Sequence, residues 1–167
     1  MNATRCDIAS GGSIASRLRE LGHDLPPPTE PAANYVSYVT CGTFLHVAGQ
    51  ICKHGDQPAF VGKLGRDWSL QQGREAAVLA ALNLISQIAA AVGDELPAVR
   101  RVVRVGGYVN ADEDFTQISA VIDAASELLV AVFGEAGRHA RTAVGVAVLP
   151  RGAAVELDAV VELSGDA

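Results

Sequence analysis

The stretch from Ser69 to Gly93 constrains this chain more than any other. It opens with a serine three positions before Gln72, the pattern in which two side chains satisfy each other's free backbone N–H groups at a helix start. Val78, Leu82, Ile85, Ala89 and Val92 then step by three and four, and Gly93 is placed to end the helix in a left-handed turn. The apolar run from Ala76 to Val92 falls short of the about 20 residues that cross a bilayer, and Asn83, Ser86 and Gln87 interrupt it, so no membrane partner is expected. A buried, alanine-rich helix is the better account, and the rest of the chain must supply what buries it.

The flanking segments read as strands. Tyr35 to Thr40 and Thr43 to Gly49 predict a hairpin joined at Cys41-Gly42, with Leu45 and Val47 alternating against Phe44, His46 and Ala48. Val99 to Val109 is β-branched, with Arg100, Arg101 and Arg104 expected in solvent. Phe115, Ile118, Ile122, Ala125, Leu129 and Val132 predict a second helix from Asp114 to Phe133, closed by Gly134. Residues 141–163, RTAVGVAVLPRGAAVELDAVVEL, read as a final hairpin turning at Pro150-Arg151. The order ββ, helix, strand, helix, ββ predicts an α+β domain: one mixed sheet with both helices on one face. Ahead of it, Ser13 to Leu21 predicts a short helix ended by Gly22, and PPPTEPAANY an extended arm along the surface. The expected division is residues 1–34 as N-terminal helix and arm and 35–167 as the folded domain; 167 residues, 49% of them hydrophobic, suit one core.

Charge and cysteines narrow the function classes. A net charge of −6 and a pI near 5.1 argue against a surface built for phosphate backbones, so no nucleic-acid partner is expected. Cys6, Cys41 and Cys52 lack the paired spacing of a disulfide framework or a zinc site, and Cys52-Lys53-His54 has no spaced second pair, so no metal is expected. The opening MNATRCDIASGG has no apolar run of signal-peptide length, and cytoplasm is the expected location.

In the last strand Val155, Leu157, Ala159, Val161 and Leu163 alternate with Ala154, Glu156, Asp158, Val160 and Glu162, one side dry and the other mostly acidic. A two-residue turn at Pro150-Arg151 pairs 145 with 156 and 141 with 160, which puts Arg141 and Glu156 on one face but roughly 13 Å apart at about 3.3 Å per residue. Each then needs another partner, which a second chain can supply. Ala143, Gly145 and Ala147 share Arg141's face and leave room beside it. Spacing alone leaves two readings open: ordinary solvated charges, or an anchor and a base. Arginine offers a planar fork matched to a carboxylate, and one glutamate can place a water and take its proton. His139 reads as a solvated loop histidine or one that tunes an anion site, and Phe60 and Trp68 as packing or cleft lining.

With NYVSYVTCGTFLHVAGQ at 34–50, ALNLISQI at 81–88, RRVVRVGGYVN at 100–110, VIDAASELLVAVFGEAGRHART at 121–142 and VGVAVLPRGAAVELDAVVEL at 144–163, the sequence resembles the reactive intermediate deaminase (Rid, or YjgF-like) family, in a longer variant with an N-terminal helix and arm. The resemblance implies a chorismate-mutase-like α+β fold assembled as a homotrimer with three clefts between subunits. It implies that Arg141 holds a substrate carboxylate, Glu156 activates water, Tyr35 lends a hydroxyl, and backbone N–H groups near Gly49 and Ala143 bind the carboxylate. The implied chemistry is hydrolysis of an enamine or imine acid, such as 2-aminoacrylate, to a 2-keto acid and ammonia, with no metal or organic cofactor. Three positions depart from the pattern: Ala48 stands where many members have serine, Ala143 where they often have cysteine, and Asp123 near a family asparagine, where it would repel an anion unless Arg141 compensates. The alternative is a non-catalytic binder of small carboxylates at the same cleft. Endoribonuclease or translation-inhibitor activity, attached to parts of the family, fits the acidic charge less well.

Overall fold

The computed structural model describes residues 12–31 and 33–165; Cys6 and the opening residues lie outside the described residues. The long helix forms as its local chemistry dictates. Ser69 Oγ accepts from the Gln72 N–H at 3.3 Å, Gln72 Oε1 accepts from the Ser69 N–H at 3.1 Å, and α2 (Leu70–Val92) ends at Gly93 with φ 64°. Its buried side is wider than the predicted stripe. Ile85 and Ala89 are buried, Val78, Leu82 and Val92 lie at the margin, and Ala77, Ala80, Ala81, Leu84 and Ile88 point into the core.

By length and composition α2 could cross a membrane, yet 67% of its most apolar window is buried inside this domain. The three polar interruptions have structural duties. Asn83 Nδ2 donates to the carbonyls of Ile51 at 3.0 Å and Lys53 at 2.9 Å, where a strand ends. Ser86 Oγ donates to Pro26 O at 2.7 Å and Gln87 Nε2 to Thr29 O at 3.0 Å, so the helix supplies donors to carbonyls of the proline-rich arm, whose prolines have no N–H of their own to join a sheet. The arm is held at its other end by α1 (Ile14–Glu20), capped by Ser13, with Ile14 and Leu18 fully buried.

Five strands make the sheet: β1 (Tyr38–Cys41), β2 (Phe44–Ile51), β5 (Val99–Asn110), β6 (Ala140–Val146) and β7 (Val155–Leu163), in the order β1-β2-β7-β5-β6. A small ribbon of β3 (Lys53–His54) and β4 (Gln57–Pro58) stands apart. Cys41 pairs with Phe44, so the first hairpin turns at Gly42-Thr43, one residue later than predicted, with Gly42 at φ 59°. α2 and α3 (Ile118–Phe133) cover one face of the sheet, where Val102, Val105, Val109, Leu157 and Val161 meet Leu84, Ile88, Ile122 and Leu129. α3 begins later than the predicted Asp114 because the Phe115 N–H turns back to Asp112 O at 3.0 Å. This is the α+β fold with a mixed sheet expected from the element order.

One expectation is overturned. Residues 141–163 are not a hairpin. β6 pairs with β5 in parallel, as a strand returning through a helical crossover does, and β7 lies on the other side of β5, antiparallel to both β2 and β5. Pro150-Arg151 belongs to a longer connection, with Arg151 at φ 58° and Gly152 at φ 71°, that passes the end of β5.

Candidate active site

The sheet register decides where the two charged residues point. Val105, buried under the helices, pairs with Ala159 on β7 and with Arg141 on β6, so Arg141 lies on the helix side. Tyr108 pairs with Glu156 and with Val144, which places Glu156 on the open side. Arg141 and Glu156 therefore face opposite sides of the sheet, not the shared face that a hairpin would have required. Within one chain they cannot meet.

On the open side, Glu156 stands against a bulge. Between Val47 and Gln50 the β2 strand carries one residue more than β7 opposite it, and Ala48 and Gly49 fall there. A Cβ on Gly49 would sit 2.0 Å from Glu156 Oε1, so only glycine lets this carboxylate lie across β2. Among the described residues Glu156 has no hydrogen bond or ion pair, and burial first, then the charge of Asp158, pushes its carboxyl above the ordinary range. Asp158, two residues on, is fully engaged: Oδ1 accepts from the Gly106 N–H at 3.1 Å and Arg104 Nη1 at 3.2 Å, and Oδ2 from the Tyr108 hydroxyl at 2.9 Å. Among the described residues one carboxylate is fixed and the other is not held by a partner.

At the sheet's edge on the helix side, Arg141 Nη1 reaches Asp123 Oδ1 at 2.9 Å and donates to Ser126 Oγ at 3.1 Å, both on α3. His139 Nδ1 lies 2.7 Å from Gly137 O and Nε2 3.0 Å from Ser126 Oγ. A carbonyl only accepts, so Nδ1 carries the proton, Nε2 accepts from the serine hydroxyl, and the serine oxygen accepts from the guanidinium. Burial, with the charge of Arg141 adding to it, pushes the His139 imidazole below its ordinary range and favours the neutral ring this chain of bonds requires. Ala143 follows two residues along β6, and a Cβ on Gly145 would touch Ile118, so the small residues keep α3 close to this edge.

Residues 15–163 match the family described as "YjgF/chorismate_mutase-like, putative endoribonuclease". This chain belongs to that family. It is 48% identical to protein TCP17 of Trypanosoma cruzi over 94% of its own length and 98% of that protein. Among solved structures, this YjgF-like chain resembles Atu1372 of Agrobacterium tumefaciens, a protein of unknown function, at 42% identity and a TM-score of 0.85, covering 90% of this chain and 92% of that one. TdcF of Escherichia coli, solved with bound serine, shares the fold at 20% identity and a TM-score of 0.60, covering 85% and 97%.

The YjgF-like chain brings Glu156 to Gly49, and Arg141 to Asp123 near Ala143. Tyr35 stands apart, 54% exposed ahead of the opposite edge strand β1, in a groove of about 460 Å3 with Pro28, Thr29, Tyr38 and Gln87. A second cavity of about 460 Å3, beside Lys63, Phe115, Ile118 and Gly145, contains none of the predicted site residues. Phe60 and Trp68 pack edge to face with centroids 5.4 Å apart. Sequence reasoning passes over Ser126, Tyr108 and the tethering of Asp158. The only sequence signal for the last is the Glu156-x-Asp158 spacing on the outward side of β7. Among the described residues no three His, Cys, Asp or Glu side chains converge as metal ligands would.

Proposed function

We propose that this YjgF-like chain hydrolyses small enamine or imine acids to 2-keto acids and ammonia, in a cleft that a second copy completes. The observation that carries the reading is Glu156: a half-buried carboxylate with a raised pKa and, among the described residues, no partner, beside a backbone opened by Gly49. A carboxylate of raised pKa is a stronger base, suited to take a proton from water as it adds to a protonated C=N carbon. The resulting tetrahedral adduct loses ammonia, and the carbonyl of the keto acid forms. Arg141 anchors the substrate carboxylate, with Ser126 and His139 fixing its guanidinium.

Because the anchor and the base lie on opposite sides of one sheet, a shared site needs Arg141 from one copy and Glu156 from its neighbour, with Tyr35 at the other edge. Support for such an assembly, a homotrimer in the family pattern, comes from the open face, where Val39, Phe44 and Val144 are exposed. The serine in TdcF supports a small amino-acid-like ligand. The endoribonuclease names among the relatives fit this chain less well, because its net charge is −6 and Arg100 and Arg104 on the open face are paired with Glu162 and Asp158.

A second reading, carboxylate binding without turnover, is favoured by one feature: Ala48 and Ala143 offer no polar side chain beside the two charged residues. Ammonia and keto-acid release from 2-aminoacrylate and bulkier imino acids generated in situ separates the two. Acceleration by the wild type that disappears in both Arg141→Ala and Glu156→Gln supports the deaminase; no acceleration over buffer on any substrate, with carboxylate binding retained, establishes the binder instead.

A further inference from the structure

Asp123 changes what the anchor can recognise. Arg141 Nη1 is taken by Asp123 Oδ1 at 2.9 Å and by Ser126 Oγ, while among the described residues Nε and Nη2 of the arginine and Oδ2 of the aspartate have no partner. The arginine side chain is 22% exposed and the aspartate 48%, so a donor edge and an acceptor oxygen stand side by side within reach of a ligand. The pair is neutral overall. A simple carboxylate approaching Arg141 meets the like charge of Asp123 and gains little. A ligand that carries a cationic nitrogen on the carbon next to its carboxylate satisfies both, through two charge-assisted hydrogen bonds.

We propose that Asp123 is a specificity residue, which with Arg141 selects 2-amino and protonated 2-imino acids over carboxylates that lack the nitrogen. This rests on the reading above that Arg141 takes a substrate carboxylate, and adds to it a reason for turnover. A carboxylate beside the imine nitrogen holds its proton and keeps the carbon electrophilic. Hydrolysis then removes that nitrogen as ammonia, so the keto acid loses its contact with Asp123 and leaves.

The test is calorimetric binding of L-alanine and L-lactate, matched in skeleton but differing in an ammonium against a hydroxyl, to the full chain as wild type, Asp123→Asn and Asp123→Ser. The wild type should hold alanine roughly tenfold tighter than lactate, the scale of one hydrogen bond between charged groups, and both variants should bring the two affinities together at unchanged Tm. Equal affinities in the wild type, a ratio that survives both substitutions, or binding of neither probe overturns the proposal. A wild type that hydrolyses imino acids while the ratio survives leaves the deaminase reading standing without this inference. Loss of the ratio in the variants, in a protein that hydrolyses nothing, leaves the specificity standing and removes the deaminase.

Discussion

Glu156 works against its own surroundings, and that gives it two measurable signatures. The first is in activity. As the proposed base Glu156 acts ionised, and burial with the Asp158 charge raises its pKa, so kcat/KM for imine hydrolysis should fall on the acid side through a pKa above the about 4.3 of a free glutamate. Glu156→Gln should remove that limb together with about 10²- to 10⁴-fold of the rate. The second is in stability. A carboxyl whose folded pKa is raised binds its proton more readily folded than unfolded, so its contribution favours the fold at low pH and is lost as pH rises from the ordinary carboxylate range through the raised pKa. Glu156→Gln should therefore have the higher Tm at pH 8, and the difference from wild type should vanish toward pH 4, as thermal melts at the two pH values would show. A substitution that stabilises the protein while silencing it marks a functional residue rather than a structural one.

At the level of elements, what is legible in the sequence is what is local. The capping box of α2 and its Gly93 turn join residues within one helical turn, and the alternation of β7 reports correctly that Val155, Leu157, Ala159 and Val161 are buried, while Leu163 at the strand's end is only partly so. Alternation does not say which strand lies alongside. The nearest partner would put Arg141 on Glu156's face, whereas α3 carries the chain back parallel to β5 and leaves the centre of the sheet to β7. The polar breaks in α2 are visible in the sequence, but the carbonyls they serve lie in segments far away along the chain. Asn83→Ala should leave the Ile51 and Lys53 carbonyls without their donor and cost about 2–4 kcal/mol, measurable by urea denaturation. The β2 bulge gives the opposite pattern. Gly49→Ala places a methyl on the flexible end of Glu156, so the fold should shift little while hydrolysis drops at least about tenfold, as steady-state assays beside a denaturation curve would reveal.

For the whole molecule, the opposite placement of Arg141 and Glu156 makes the proposed hydrolysis a property of copies in contact. Arg141→Ala and Glu156→Gln, each inactive alone, should complement when co-refolded: in an equal random mixture about a quarter of the interfaces carry both intact residues, and about a quarter of wild-type activity should return. Unrescued mixtures would overturn the reading that Arg141 and Glu156 serve one shared site. The fold class is legible from element order and the family from several dispersed stretches, while the placement of Arg141 and Glu156 on opposite faces is not, because alternation along one strand does not say which strand pairs with it. The strand order has one more consequence, for biosynthesis. β7, made after every other element described, is the strand that joins β2 to β5. A nascent chain that has reached Gly152 holds both long helices and four of the five strands, yet its two halves of sheet face each other across an empty lane with edges unpaired. Premature termination there leaves a sticky fragment rather than a smaller protein, and the cell's defence of this fold rests on the interval before its final strand arrives.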